Sequence, residues 1–149
     1  MQTNSAFRTV QIIHYALIFG IFIFGAIFLF PFQKLSFKLD FENVLFDFSM
    51  VWSILVFIFH NKMYTNELSK ISLLNTAHEK WQKYFFSHLV RMSLLESTIF
   101  LNIILMTLNP NYYYTVLILI NYLLIFSYNP DVSKIASEWH LTEEEIKNL

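Results

Sequence analysis

Polar side chains within apolar stretches are the residues of this sequence whose types could do chemistry. The set combines a carboxylate, a guanidinium, two imidazoles and smaller hydrogen-bonding groups: Glu96, Arg91, His14, His88, Ser93, Asn102 and Asn121. The chain has no cysteine, which excludes disulfides, thiolate nucleophiles and cysteine-based metal sites. A formal net charge of −1 provides no global field that would attract nucleic acid.

Glu96 is the most informative of these side chains because it lies in the middle of an apolar run. An ionisable group at the centre of a membrane helix costs about 2.5–3.5 kcal/mol, so it usually faces a bundle interior or a wet cavity. Two interpretations stay open. Glu96 could bind a proton or a cation, or it could be a structural carboxylic acid hydrogen-bonded to Ser93, one turn back on the same face.

Arg91 is a poor partner for Glu96 within one helix, because five residues place the two about 140° apart around the axis. Its long side chain is expected to extend to the inner lipid headgroups. A lipid phosphate, or Glu96 of another copy, is the alternative partner.

His14 and His88 are expected at equal depth on different helices. Two such histidines could ligate a haem between them. Histidine is common at membrane interfaces, however, and the other histidines add no metal-binding spacing. We therefore expect no bound cofactor and no metal.

Smaller polar and small residues predict contacts between helices. Asn102 and Asn121 are expected to form interhelical amide hydrogen bonds, each worth about 0.6–2 kcal/mol. Ala16 and Gly20 have the small-x-x-x-small spacing that indicates close helix packing.

Four apolar runs must position these side chains, and they cover residues 10–32, 44–59, 85–108 and 112–128. At ~1.5 Å per residue the first run reaches about 34 Å, enough for a hydrocarbon core of ~30 Å. It is too long for the apolar region of a signal peptide, which has roughly 7–15 residues. Only 14% of the residues are charged, against about 25% in soluble domains. We predict an all-α, four-helix transmembrane bundle that forms a single domain over residues 1–149. Because the second run is short, two or three spans are the alternative.

Residues 60–84, between the second and third runs, are predicted to extend those helices as a hairpin into the aqueous phase. Apolar residues recur there at spacings of three and four. Thr76 and Glu79 match a capping box, which starts a helix. We expect the second helix to run to about Leu74 and the chain to turn at Asn75, where the third helix starts. The alternative is a separate amphipathic helix on the membrane surface.

Two further connections have clear signals. Asn109-Pro110-Asn111 predicts a tight turn between the third and fourth helices. Residues 129–149 are predicted to be a polar helical tail, with Pro130 in its first turn and a second capping box at Thr142.

The distribution of basic residues predicts the orientation of the bundle. Four spans place both termini and residues 60–84 on one side, which holds most of the basic residues: Arg8, Lys62, Lys70, Lys80, Lys83, Lys134 and Lys147. The other side holds Lys34 and Lys38. Because the richer side is cytoplasmic, we expect both termini, the hairpin and the tail in the cytoplasm. The chain is thus expected to cross its membrane several times.

Several segments resemble a group of small, uncharacterised four-helix inner-membrane proteins of Bacteroidota. They are Tyr84-x6-Arg91-Met92-Ser93-Leu94-Leu95-Glu96, the run 11–17, Asn129-Pro130 and Leu141-Thr142. The resemblance implies an inner-membrane bundle and no particular activity. Residues 93–96 are also similar to the ion-binding helix of rotary ATPase c-type subunits, but those helices are glycine-rich and this chain has 2 glycines.

The sequence contains no catalytic, cofactor or nucleotide motif. We therefore expect a non-catalytic integral membrane protein that acts as an accessory or structural subunit of a larger complex, or as a homo-oligomer. The alternative function is a small transporter or an ion or proton conductor that uses Glu96. The expected surroundings are a lipid bilayer, with no nucleic-acid partner.

Overall fold

The computed structural model describes residues 5–29, 43–74 and 76–148. These residues form six α-helices, without a strand, so the all-α class is confirmed for them. The helices are α1 (Ser5–Leu29), α2 (Val44–Leu68), α3 (Ala77–Leu108), α4 (Tyr112–Ser127), α5 (Val132–Trp139) and α6 (Glu143–Asn148), and a short 3₁₀ turn covers Ile71–Leu73.

Three of these helices are long and apolar enough to cross a membrane: Ala6–Ile27, Val44–Leu68 and Ala77–Leu108. α4 has 16 residues and is therefore about 24 Å long. It is long enough to cross a membrane only if α5 is counted with it, and the chain bends by 80° between the two helices. The described residues therefore contain three candidate spans, or up to four. Residues 30–32 of the first predicted run lie outside the described residues.

The outer surfaces of these helices are apolar. Phe19, Phe22 and Phe59 are each about 60% exposed. A water-soluble protein rarely leaves so much contiguous apolar surface uncovered, whereas hydrocarbon chains cover it at no penalty. The exposed surface thus agrees with a membrane protein.

α3 is the central helix of the fold. α2 and α4 both pack closely against it, while α1 packs mainly on α3 and only slightly on α4. Leu95, Ile99 and Ile103 recur every four residues along α3 and are completely buried. They form one apolar cluster with residues of the other helices, including Ile18 and Ile125. The helical periodicity of α3 thus positions one continuous buried stripe.

The predicted start and end of α3 are confirmed. The backbone N–H of Glu79 donates to Thr76 Oγ1 and the N–H of Thr76 donates to Glu79 Oε2, both at 3.2 Å. This reciprocal pair is a capping box. At its other end α3 stops at Leu108, before the Asn109–Asn111 turn. Asn75, where we expected the chain to turn, lies outside the described residues.

The predicted end of α2 at Leu74 is wrong, since α2 ends at Leu68. α2 has 25 residues and α3 has 32, so the two arms of the hairpin are unequal. By leaving the helix, the chain brings Ile71 into a buried position where it is 3% exposed. Glu67 ties the end of α2 to α3, because it accepts hydrogen bonds from Lys70 (2.9 Å) and Lys83 (3.0 Å).

The tail contains two short helices rather than one. α5 starts after Pro130, with Asp131 as its N-cap accepting from the N–H groups of Ser133 (2.7 Å) and Lys134 (3.3 Å). Pro130 therefore precedes the helix and does not lie in its first turn. α5 ends at Trp139, and the next residue, His140, adopts the left-handed conformation with φ 49°. The second capping box is confirmed, since Glu145 N–H donates to Thr142 Oγ1 at 3.1 Å and Thr142 N–H donates back to the Glu145 carboxylate at 2.7 Å.

The tail packs back against the hairpin and the start of α1. The buried residues that meet there, named the hairpin-end cluster, are Val10, Ile71, Trp81, Tyr84, Ile135, Trp139, Leu141 and Ile146. The hairpin therefore does not project alone from the bundle, because the tail covers one of its faces.

Candidate functional site

The structure brings His14 and His88 together between α1 and α3. His14 belongs to the buried stripe of α1 that also contains Val10 and Ile18, and His88 lies one turn after the buried Tyr84. The two imidazole centroids are 5.3 Å apart and the ring planes are tilted by 40°. Only 1% of His14 and 4% of His88 is exposed. We call these two residues the imidazole pair.

The imidazole pair has unsatisfied nitrogen atoms. Three ring nitrogens have no hydrogen-bond partner among the described residues: Nδ1 and Nε2 of His14, and Nε2 of His88. His88 also stacks on Tyr84, with ring centroids 5.7 Å apart and planes at 27°. Such orphaned buried polar atoms are rare in proteins and call for a physical explanation.

The arrangement of the pair does not fit a haem. Two imidazoles that ligate iron from opposite faces of a porphyrin have centroids roughly 6.3 Å apart, given metal–nitrogen distances of about 2.0 Å. His14 and His88 are closer than that, and their tilted rings contact each other directly. The haem alternative is therefore not supported by the geometry.

Arg91 is held inside the protein between two tyrosine rings. Its guanidinium carbon lies 3.4 Å from the ring centroid of Tyr128 and 4.5 Å from that of Tyr64. Its Nη2 donates to Asn61 Oδ1 at 2.9 Å. A desolvated cation over an aromatic face gains about 2 kcal/mol. These contacts bind the guanidinium to α2 and α4 instead of letting it extend to the headgroups, and Glu96 takes no part in them.

The partners of Arg91 extend into a network that sequence reasoning missed. His60 Nδ1 donates to the Val56 carbonyl at 2.9 Å, so its Nε2 accepts from the Tyr128 hydroxyl at 3.1 Å. Tyr64 Oη donates to the Glu138 carboxylate and accepts from Trp139 Nε1 at 3.2 Å. The four-residue spacing of His60 and Tyr64 on α2 is the one local signal for this network. It links α2, α4 and α5.

A small polar cavity lies beside Arg91 and His88. It has a volume of about 20 Å³, which is space for about one water molecule. Its wall carries side chains of both charges, among them Asp131, Lys134 and Glu138. Because the charges are mixed, the cavity has no clear preference for an anion or a cation.

Glu96 stands apart from these groups. It is half-buried, and no hydrogen bond or ion pair within the described part of the chain involves it. Ser93 is exposed and does not bond to it, so the expected Ser93–Glu96 hydrogen bond is absent there. α1 and α3 run side by side in the same direction, because His14 contacts His88 and Phe24 contacts Phe100. With the helices aligned in this way, Glu96 of α3 lies at the level of Gly20 of α1.

The two buried asparagines differ. Asn102 accepts from Ser49 Oγ at 2.6 Å across the α2–α3 contact, and its amide donates to the Thr98 carbonyl at 2.8 Å. This is the predicted interhelical bond. Asn121 donates to Leu117 O of its own helix at 2.8 Å, so the expected amide bond to another helix is absent from the described contacts.

Ala16 and Gly20, the small residues whose spacing predicts close packing, are both exposed. A Cβ added to Gly20 would meet no described atom within 4 Å. Among the described residues, no helix therefore packs closely on this pair.

The described residues contain no group of three or more His, Cys, Asp or Glu side chains that could hold a metal ion. The imidazole pair is thus the best candidate for a ligand to a bound group. Comparison of the chain with protein-family models, with curated proteins and with solved structures finds no match.

Proposed function

We propose that this chain is a non-catalytic integral membrane protein that serves as an accessory subunit of a larger membrane complex or as a homo-oligomer. Glu96 on α3 marks its contact surface. The proposed setting is a bacterial inner membrane, crossed four times with both ends in the cytoplasm. The basic residues of the sequence and its resemblance to four-helix proteins of Bacteroidota support this topology.

The observation that carries the proposal is the isolation of Glu96. The ionisable groups that lie nearer the hairpin, His14, His60, His88 and Arg91, all contact a ring or a hydrogen-bonding group of the chain. Glu96 has no such partner among the described residues. A lone ionisable group at the centre of a span costs about 2.5–3.5 kcal/mol. A donor from a second protein would offset that cost.

The neighbouring surface of α1 supports a helix as the partner. Gly20 is exposed at the depth of Glu96, and Ala16 is exposed one turn before it. A Cβ added to Gly20 would meet none of the described atoms within 4 Å. Small residues let two membrane helices approach closely, and interhelical hydrogen bonds then hold them. A helix of a partner protein could pack closely against the exposed Ala16 and Gly20 and donate a hydrogen bond to the Glu96 carboxyl.

Two of the cavities among the described residues suit a role without catalysis. The polar cavity beside Arg91 has room for about one water. The larger groove, between α1, α3 and α4, has a volume of about 380 Å³ and is lined by apolar side chains such as Ile21, Ile103 and Leu119. Lipid chains suit such a groove, whereas a polar substrate does not.

A pull-down from native membranes in mild detergent, followed by native sizing, tests the proposal. The wild-type chain should emerge with one stoichiometric partner or as a homo-oligomer. Glu96→Leu should weaken that association about 3- to 30-fold, since one intramembrane hydrogen bond is worth about 0.6–2 kcal/mol. Asp47→Leu is the matched control, because Asp47 is an exposed carboxylate near the other end of the bundle. A wild-type chain that emerges alone and monomeric would refute the proposal.

The topology has its own test. Reporter fusions after residue 75 and at the C-terminus should both report the cytoplasm. A periplasmic signal from either fusion would contradict the four-span arrangement.

The alternative function, a small transporter or an ion or proton conductor, is favoured by the same free carboxyl of Glu96. Purified protein in liposomes distinguishes it from the accessory role. Flux that is abolished by Glu96→Gln would support conduction, whereas liposomes without flux above background would exclude it.

A further inference from the structure

The imidazole pair presents ligand atoms in a site shielded from water. A neutral imidazole carries one N–H donor and one lone pair. His14 is 99% buried, and neither of its nitrogens has a partner among the described residues. Leaving a buried polar group unsatisfied is unfavourable. Two adjacent histidines on different helices could each direct one lone pair at a shared ion.

The distance between the rings fits a shared ion. A metal ion lies about 2.0–2.1 Å from an imidazole nitrogen and hence about 3.2 Å from the ring centroid. Two rings that share one ion at a trigonal or tetrahedral angle, roughly 110–120°, then have centroids about 5.2–5.5 Å apart. The observed separation of 5.3 Å lies in this range. A bent pair of nitrogen ligands leaves the ion open to a third ligand.

Met92 is the soft donor nearest to His88 along α3. It lies one helical turn after His88, and residues four apart share a face of the helix. Met92 is 1% exposed and belongs to the same buried stripe of α3. Its thioether sulfur is a soft donor. The two imidazoles and the thioether together make a ligand set of two nitrogens and one sulfur.

We propose that His14, His88 and Met92 bind a copper(I) ion. Thioether ligands select copper(I), and imidazole suits copper as well. Charge favours a monovalent ion too, because the Born cost of burial rises with the square of the charge. The guanidinium of Arg91, less than one turn after His88, adds repulsion that a divalent zinc ion would feel more strongly.

The test titrates copper(I) into the purified full-length chain in detergent micelles, under anaerobic reducing conditions and against a chromophoric copper(I) chelator. The wild-type chain should bind one ion. Because the chain has no cysteine, thiolates contribute no background. His14→Ala and His88→Ala should each lower the affinity for copper(I) at least about 10-fold. Loss of a residue that merely hydrogen-bonds to a metal ligand already lowers metal affinity about 10–100-fold. His78→Ala, which changes an exposed histidine of α3, should leave the affinity unchanged.

A second pair of variants tests the sulfur ligand. Met92→Leu should lower the affinity, whereas Met106→Leu, an equally buried methionine farther along α3, should not. X-ray absorption at the copper edge should show two nitrogen neighbours and one sulfur neighbour in the wild-type chain, and no sulfur in Met92→Leu. Size-exclusion profiles and helix content show that each variant is folded.

Two results would overturn the proposal. The first is a wild-type chain that cannot take one equivalent of copper(I) from the chelator, and this result needs no variant. The second is binding that folded His14→Ala and His88→Ala retain, which would identify the ion as adventitious.

Discussion

Replacing Trp139 by alanine should release the tail from the hairpin. Trp139 is completely buried at the end of α5. Its ring contacts Tyr64 and Tyr84 edge-on, with centroids 6.2 and 5.7 Å away. Its Nε1 donates to Tyr64 Oη at 3.2 Å. Truncating a buried tryptophan to alanine costs about 3–5 kcal/mol. Because α5 and α6 are short helices of 8 and 6 residues, most of this loss should fall on the docking of the tail.

Hydrogen exchange in detergent micelles or nanodiscs measures that docking directly. At 1.4 kcal/mol per factor of ten, the protection of the amides in 132–148 should fall roughly 10²- to 10³-fold. The protection of an undocked helix sets the lower limit of this fall. Amides in the middle of α3 should keep their protection. Trp52→Ala is the matched control, because Trp52 lies on the outer surface of α2 and is 37% exposed. Unchanged tail protection in Trp139→Ala would refute the reasoning, since the hairpin-end cluster would then not hold the tail.

Three further substitutions probe other contacts. Asn102→Ala should lower the free energy of unfolding in micelles by about 1–2 kcal/mol. A double-mutant cycle with Ser49→Ala should give a coupling energy between the two residues. If the two losses of stability simply add, the 2.6 Å bond between Ser49 and Asn102 contributes nothing. His140→Gly should raise the free energy of unfolding by about 1 kcal/mol, since residues other than glycine adopt the left-handed conformation, here at φ 49°, only at a cost. A lower melting temperature of the variant would contradict this. Hydrogen bonds from the side chain and the backbone N–H of Ser133 hold the pKa of Asp131 below its ordinary value of 3.8. The stabilisation of α5 by Asp131 is therefore present above about pH 3.8 and lost as the pH falls through the lowered pKa. A circular dichroism titration should show this loss, and it should be absent in Asp131→Asn.

The sequence predicted most of what is local in this fold. The capping boxes at Thr76 and Thr142 and the turn at Pro110 depend on residues within four positions of each other, and the structure has them where they were expected. Where neighbours along the chain decide the geometry, the pattern of residues is sufficient.

Contacts between distant segments were the part that the sequence could not reveal. Nothing near Arg91 in the sequence points to Tyr64 or Tyr128, so headgroups appeared to be its partner. The helical periodicity before Leu74 continues past the point where α2 ends, because Ile71 is drawn into a cluster completed by α5 and α6. The small-x-x-x-small spacing of α1 indicates close packing but does not say whether the other helix belongs to the same chain.

The central position of α3 has a consequence for how the protein is made. α1 is synthesised before α2, yet its main neighbour in the finished fold is α3, which follows α2. Until α3 is made, His14 has no His88 beside it. α1 is thus made early and packed late, and the two histidines meet only when α3 arrives.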